Sequence, residues 1–427
     1  MRSSSLRPWV LVVVVVIGLN ALALASNPVL DWDLIAVNSA LAGNQTISPG
    51  SSSAGGTGLY LAYVHLAIFN ALNAIDRDYR PYRVALTAPR AASRKAAIIS
   101  AAYQTLLYYF PDQAASLGGQ YTTSLSAVPD GEAKDKGVWV GQAAAAQIIA
   151  LRLNDGRGAS VTYTYPSSPE PGVWIATPPG FLAPAIPWAG QMVPFTMSSA
   201  SQFLPQDGPD DLGSRRWVRD YNETRILGAH DSSVRTPEQT EIGLFWTAHT
   251  SSQYAATLRQ LSADRGLSTA QSARLFAMVW TAFADSLIGC FNAKYHYGFW
   301  RPVTAVPNAD IDGNPDTVAD PAWLPLGTTP NHPEFPAAHA CLTGSLARTL
   351  ELYFRTSHIR LTVNSSVTGT AHNFSDVRDL EDEVLRARIY AGFHYRHSLN
   401  EGFKLGHRVA EQSHREYFRS GQSEDSR

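Results

Sequence analysis

The apolar positions along the chain recur mostly at three- and four-residue steps, the spacing that places side chains on one face of an α-helix. Between Gly58 and Asp76, the residues that follow this spacing are Leu61, Val64, Ile68, Leu72 and Ile75. Similar patterns predict helices over 91–109, 137–153, 339–354, 381–390 and 402–417. No segment shows a convincing alternation of period two, so the sequence predicts an all-α fold of helical-bundle type.

Two further helices are marked by the residues that begin them. Thr236 is followed by Pro237, and a threonine N-cap with proline at the first helical position is a common helix start. We expect this helix to run past Trp246. Ser268 begins another long helix, which we expect to continue towards Lys294.

The segment from about residue 163 to 213 has a different character. Proline and glycine are dense there, which excludes a continuous helix. It also contains large apolar side chains, at Trp174, Phe181, Trp188 and Phe195. Because a structureless loop of this length is unusual in a compact domain, we predict an ordered segment within a single domain over 26–427.

The first residues have the order of a secretory signal peptide. Arg2 and Arg7 precede an apolar run over 9–17, and the small residues of 23–25 resemble a cleavage site. The run is short for a membrane span, so we predict a signal peptide over 1–25. We expect no later segment to be apolar for long enough to cross a bilayer. The expected product is secreted, or lies in the lumen of the secretory pathway, without a stable membrane anchor.

Other features bear on this compartment. Triplets of the Asn-x-Ser/Thr type, typical of glycoproteins, begin at Asn44, Asn222, Asn364 and Asn373. The two cysteines, Cys290 and Cys341, could pair in an oxidising compartment or remain two buried thiols. The sequence does not decide between these alternatives.

The composition is that of an ordinary globular protein, with 45% hydrophobic and 16% charged residues. The formal net charge of −2 gives no basic face for a phosphate backbone, so we expect no nucleic-acid partner. Any basic site must be local.

Basic residues and histidines are concentrated in three segments, of which the first runs from Lys294 to Arg301 and Pro302. Positions seven apart lie nearly on one face of a helix, so we expect Lys294 and Arg301 to point the same way, with Pro302 ending the helix. Two cations on one face repel each other. Their proximity is most easily explained by an anion between them.

The second segment is a proline-bounded turn from His332 through Pro336 that leads into an apolar helix at His339. A helix N-terminus offers free N–H groups and the positive end of the helix dipole. The third segment contains Arg388 and His394, six residues apart. We expect a break at Gly392 to turn His394 back towards Arg388.

In this order, the patterns K-x6-R-P, P-x-x-H and R-x3-G-x-H resemble the three-part signature of the superfamily that joins vanadium haloperoxidases, type-2 phosphatidic acid phosphatases and bacterial acid phosphatases. Further similarity to secreted and bacterial haloperoxidase-like proteins lies around 62–76, 171–179, 194–203 and 236–246, so the resemblance covers most of the chain after the signal peptide. Each motif alone is weak, but three in order with the correct internal spacing are specific. The resemblance implies the helical-bundle architecture of the haloperoxidase and acid phosphatase type.

The resemblance also implies a role for each site residue. Lys294, Arg301, Arg388 and the backbone N–H of Ala338 would bind the oxygens of vanadate, and His394 would be the metal ligand to vanadium. His339 would be the catalytic acid–base residue for hydrogen peroxide, which oxidises halide to a hypohalous species. His332 lies at the offset of the halide region, although a turn histidine is the simpler interpretation.

Two segments depart from the pattern of the family. The usual Pro-Ser-Gly-His is Pro336-Ala337-Ala338-His339 here, so a hydroxyl donor is missing and the Ala338 N–H is left to serve alone. Four residues beyond His394, where the family often has an aspartate that orients the histidine, this chain has Ser398. Glu401 is a possible substitute.

Three functions therefore remain open. The first is a vanadate-dependent haloperoxidase, with or without an organic small-molecule substrate, and the length of chain before Lys294 favours it. The second is a secreted acid phosphatase with His394 as nucleophile and His339 as the proton donor. The third is a derivative of the same site without redox chemistry, which Ala337 and Ala338 keep in consideration.

Overall fold

A computed structural model describes residues 27–419, so the predicted signal peptide over 1–25 lies outside the described residues. Within this range the α-helices are α1 Pro28–Leu41, α2 Gly56–Asp76, α3 Arg94–Tyr109, α4 Ala114–Ser126, α5 Glu132–Leu151, α6 Arg215–Gly228, α7 Pro237–Phe245, α8 Thr250–Asp264, α9 Thr269–Tyr297, α10 Pro302–Ala305, α11 Ala338–Phe354, α12 Val377–Tyr390 and α13 Arg396–Glu416. The only strands of the described chain are β1 Leu361–Asn364 and β2 Ala371–Phe374. The all-α prediction is confirmed at the level of architecture.

The two helix starts read from the sequence are present with complete capping boxes. The Thr236 side chain accepts a hydrogen bond from the Gln239 N–H, and Ser268 does the same for Gln271. The prediction that the first of these helices runs past Trp246 is wrong, because α7 ends at Phe245. The Thr247 hydroxyl donates to the Leu244 carbonyl at 2.7 Å, a local bond that competes with helix continuation.

The centre of the fold is built on α2 and α9, which pack against each other and against α3, α11 and α13. Both helices are long and apolar enough to cross a bilayer, contrary to our expectation that no later segment would be. However, 100% of the apolar window of α2 and 94% of that of α9 are buried inside the protein. Their apolar surface therefore forms the core.

The proline- and glycine-rich segment over 163–213 has no α-helix and packs against the bundle. The buried carboxylate of Asp285 on α9 accepts hydrogen bonds from the backbone N–H groups of Phe195 at 2.6 Å and Thr196 at 2.7 Å. Trp174 is fully buried, and its backbone N–H donates to the Gly298 carbonyl at 2.7 Å. These bonds satisfy backbone groups that irregular chain would otherwise leave unpaired.

The antiparallel hairpin of β1 and β2 was not expected from the sequence. Leu361 and Val363 alternate with more exposed residues in β1, so the strand does have period two. Four residues are too few for this pattern to stand out from the helical background. The hairpin lies against α8.

Candidate oxyanion site

Lys294 lies in the last turn of α9 and is completely buried. Its Nζ donates to the carbonyl oxygens of Pro333 at 2.8 Å and Glu334 at 2.9 Å. An ammonium group has three donors, so these two bonds leave one N–H for another acceptor.

Arg301 is not on the same helix as Lys294, which corrects the helical-face argument. The helix α9 ends at Tyr297 with Gly298 in the left-handed conformation at φ 56°, and Pro302 begins α10. The two cations nevertheless meet because both bind the 332–334 loop. The Arg301 Nε donates to the His332 carbonyl at 2.9 Å, and its Nη1 donates to the Phe393 carbonyl at 2.9 Å.

Arg388, on the last turn of α12, supplies the third buried cation. It is 1% exposed, and its Nη1 donates to the Trp246 carbonyl at 2.8 Å. Its Nε is buried and has no hydrogen-bond partner among the described protein groups. A buried guanidinium N–H without a partner is costly, so this donor is available to a bound anion.

The helix α12 ends at Tyr390, and the predicted change of direction follows at Gly392, whose φ is 75°. A Cβ on Gly392 would lie 2.6 Å from the Gly228 carbonyl oxygen, so both the conformation and the close approach require glycine. The break brings His394 towards Arg301, with 3.0 Å between the His394 Nε2 and the Arg301 Nη1.

The protonation state of His394 follows from its two neighbours. The guanidinium of Arg301 is a donor, so the Nε2 of His394 accepts and carries a lone pair. The Nδ1 therefore bears the proton and donates to the Glu334 Oε1 at 2.7 Å. This tautomer directs an unprotonated nitrogen towards the buried cations, as a metal ligand requires.

Glu334 is the carboxylate that orients His394, and the sequence analysis missed it. It is fully buried, and the same oxygen also accepts from the Tyr395 N–H at 3.1 Å. The Ser398 hydroxyl bonds to Glu334, at 3.5 Å from its backbone carbonyl and also through the side-chain carboxyl, and Glu401 pairs with Lys404. The suggestion that Glu401 substitutes for the aspartate is therefore wrong. The only available signal was a glutamate inside the conspicuous 332–339 turn.

His339 and Ala338 lie at the N-terminus of α11, whose N-cap residue, Ala337, makes no side-chain capping bond. The His339 Nε2 lies 3.0 Å from the hydroxyl oxygen of Thr250, at the start of α8. A hydrogen bond to the Trp246 backbone holds the imidazole from another side. The first N–H groups of α11 have no partner within the helix, so this end is suited to an anion.

One cavity of about 220 Å³ is lined by some of these groups, with Lys294, Arg301 and Glu334 outside its lining. Its polar wall contains His332, His339, Arg388 and His394, and its apolar wall includes Ile186, Leu287, Phe291 and Leu342. His332 Nδ1 lies 2.9 Å from Arg301 Nη2, so His332 is tied to the cation cluster.

Burial and mutual repulsion shape the charges of the site. Burial lowers the pKa of Lys294 to about 8, of Arg301 to about 10 and of Arg388 to about 9. Burial, reinforced by the cations, holds the pKa of His332, His339 and His394 well below the usual value. The imidazoles are therefore neutral at pH 7, which agrees with the tautomer deduced for His394.

Burial also raises the pKa of Glu334 to about 7. Even when Glu334 is ionised, three cations face one carboxylate, so the site has an excess of about two positive charges. The partnerless Arg388 Nε, the remaining Lys294 N–H and the α11 N-terminus all suit an oxyanion. The donor set therefore fits vanadate, with the Nε2 of His394 as the ligand nitrogen.

The two cysteines are free and buried thiols, which resolves the alternative left open by the sequence. The thiol groups lie close enough to interact, and the Cys290 Sγ faces the Pro336 carbonyl at 3.7 Å. They pack behind the 332–339 turn.

Comparison with known proteins agrees with this site. The family model described as the VCPO second helical-bundle domain matches residues 274–421, a range that contains all six predicted site side chains. Vanadium chloroperoxidase of Curvularia inaequalis is 26% identical over 289 residues, which cover 56% of this chain and 47% of that protein. The chain spans about half the length of this curated relative.

Solved structures resemble the chain over most of its length. The first bacterial vanadium-dependent iodoperoxidase superposes with a TM-score of 0.74 at 19% identity, covering 91% of this chain and 95% of that one. A holo-type bacterial vanadium-dependent chloroperoxidase gives a TM-score of 0.67 at 16% identity, covering 85% and 92% respectively. The chain is therefore similar in sequence to a vanadium chloroperoxidase, matches the second helical-bundle model over 274–421, and shares its overall fold with bacterial vanadium-dependent haloperoxidases.

Proposed function

We propose that this protein is a vanadate-dependent haloperoxidase that uses hydrogen peroxide to oxidise halide. The observation that carries the proposal is the unprotonated Nε2 of His394, fixed by Glu334 and facing three buried cations. The similar proteins described above are named as a chloroperoxidase and an iodoperoxidase, which supports peroxidase chemistry rather than the phosphatase alternative.

In this proposal, Lys294, Arg301 and Arg388 bind the oxygens of vanadate, and His394 binds the metal through Nε2. When bound, vanadate supplies a Lewis-acid centre that activates peroxide towards halide. Glu334 holds the imidazole plane and tautomer, and its carboxylate increases the basicity of the ligand nitrogen. The backbone N–H of Ala338 adds a donor from the α11 N-terminus.

His339 moves the proton. Its lowered pKa leaves it neutral, so its imidazole can accept a proton from incoming hydrogen peroxide and return it to the departing oxygen. For bromide, the balanced reaction is H₂O₂ + Br⁻ + H⁺ → HOBr + H₂O. Peroxide gains the two electrons that bromide loses, and the proton that His339 delivers leaves in water.

His332 and the cavity would receive the halide. Because Arg301 donates to the Nδ1 of His332, the proton of this neutral histidine is on Nε2, where it can donate to an anion. The volume of about 220 Å³ and the apolar wall with Phe291 favour a small organic molecule as the acceptor of the oxidised halogen.

Parallel assays of the purified protein test the proposed function. Protein dialysed with and without orthovanadate is given peroxide, bromide and a phenolic dye, and in a separate sample a chromogenic phosphate ester. Bromination that requires vanadate supports the proposal. Ester hydrolysis that vanadate inhibits favours the acid phosphatase with a His394 nucleophile, and inactivity in both assays favours a derivative without redox chemistry.

We also propose that the protein is a secreted glycoprotein. Asn44, Asn364 and Asn373 are exposed, whereas Asn222 is half-buried on α6 and its amide donates to the Val218 carbonyl at 2.9 Å. Glycans would therefore occupy the first three sites and spare Asn222. Mass mapping of protein from a eukaryotic culture medium, before and after enzymatic deglycosylation, tests both points; a cell-retained or unmodified protein would contradict them.

A further inference from the structure

The α11 N-terminus lacks a side-chain donor at the place where the family resemblance predicts one. Ala337 occupies the position of the usual serine and leaves the N-cap without a hydroxyl. The oxyanion would lose one neutral donor as a result. Loss of one oxyanion-hole donor typically lowers kcat by about 10²- to 10³-fold, so a replacement donor is worth seeking.

A hydroxyl from another helix lies beside this gap. Thr250 is the first residue of α8, 89 positions before His339 in sequence, and is completely buried. Its hydroxyl oxygen is 3.0 Å from the His339 Nε2, and Thr250 lines the same cavity as Ala338, Arg388 and His394. No other side-chain hydrogen bond ties this hydroxyl to the described protein.

We propose that Thr250 is an oxyanion-binding residue that supplies, from α8, the hydroxyl donor absent at Ala337. This inference rests on the proposed function and deepens it. A hydroxyl has one proton and two lone pairs, so Thr250 can donate to His339 while the imidazole is neutral. When an oxyanion is bound, Thr250 can turn this proton to an oxygen of the anion, and when His339 is protonated Thr250 can also accept from the imidazole Nε2–H.

The arrangement links the proton on His339 to the anion through one rotatable O–H group. Two roles can therefore be separated: direct binding of the oxyanion, which we propose, and mere positioning of His339. Only direct binding predicts that replacing Thr250 still changes anion affinity when His339 is absent.

Equilibrium dialysis of the purified full-length protein against orthovanadate measures this affinity without turnover. We expect Thr250→Val to weaken vanadate binding by about tenfold or more, and Thr250→Ser to bind within about threefold of wild type. Thr257→Val is the matched control. Thr257 is also buried on α8, but its hydroxyl donates to the Thr362 carbonyl at 3.0 Å, away from the cavity, so its affinity should not change.

The decisive comparison repeats Thr250→Val in a His339→Ala background. A similar loss of affinity there supports direct binding. The inference is overturned if Thr250→Val leaves the vanadate affinity unchanged, or if its effect disappears when His339 is absent. In either case, vanadate binding by the wild-type protein leaves the proposed function intact. A wild-type protein that binds no vanadate overturns both. Thermal unfolding checks each variant, and Thr250→Ala replaces the valine variant if the latter does not fold.

Discussion

Two histidines that line the same cavity are held in different ways. His394 donates to a buried carboxylate, Glu334, and its free nitrogen faces Arg301. His339 instead contacts neutral groups, the Thr250 hydroxyl and the Trp246 backbone. The carboxylate fixes one tautomer, as suits a permanent ligand, whereas a hydroxyl can donate or accept and so permits a proton to come and go.

The largest expected effect comes from removing the ligand histidine. His394→Ala should weaken vanadate binding by about a hundredfold or more and abolish vanadate-dependent bromination, because the nitrogen that contacts the metal is lost. Equilibrium dialysis and the dye assay measure the two quantities. Near-normal retention of vanadate would contradict the assignment of His394.

His339→Ala should reduce turnover far more than it reduces vanadate binding. We expect kcat for bromination to fall by about 10²-fold or more, since a proton-transfer group is lost, while vanadate affinity changes by less than about tenfold. Steady-state kinetics on vanadate-saturated protein, set beside dialysis, separate the two effects. A large loss of vanadate affinity with an unchanged kcat would contradict the assignment of His339 as the proton-transfer residue.

The orienting carboxylate is tested by Glu334→Gln, which keeps an acceptor but removes the charge. Vanadate affinity should fall by about tenfold or more, as for other outer partners of metal-bound histidines. Glu401→Gln is the control, since that buried carboxylate pairs with Lys404 and not with His394. Equal affinities for both variants and wild type would exclude an orienting role.

The cationic side of the site predicts a pH dependence. Burial lowers the pKa of Lys294 to about 8, so above that pH the free protein loses a proton that the anion complex retains. Affinity for molybdate, which does not titrate in this range, should therefore fall by up to about tenfold between pH 8 and pH 9, below the range in which Arg388 loses its proton. Titration calorimetry measures the slope over this interval, and Lys294→Met should remove it there.

The smallest expected effect is that of restoring the serine of the family. Ala337→Ser should tighten vanadate binding by less than about tenfold, because Thr250 already supplies a hydroxyl in our proposal. As an N-cap, the serine should also stabilise α11 by about 1 kcal/mol. Dialysis and thermal unfolding distinguish the effects; a gain in stability alone would mean that the new hydroxyl caps its helix without reaching the anion.

Much of the fold was predictable because its signals are local. Helical periodicity identified α2, α3, α5, α11, α12 and α13 but not α1, α4, α6 or α8. Thr236 and Ser268 marked the starts of α7 and α9 through bonds to residues three positions away. The end of α7 before Trp246 was not predicted because it depends on the side-chain bond from Thr247 to the Leu244 carbonyl. The hairpin escaped because its strands have four residues each.

The sequence by itself determined the chemical content of the site. Three basic residues and three histidines in ordered motifs, with glycine at 392 for the chain break, indicated an anion site and its family. Only the tertiary structure decided how the cations come together and which residue forms a hydrogen bond with each histidine. Arg301 reaches Lys294 through the 332–334 loop, Glu334 lies 60 positions from His394, and Thr250 lies 89 from His339. Spacing along a chain fixes neighbours within a helical turn, whereas contacts over such separations depend on how helices pack and loops return.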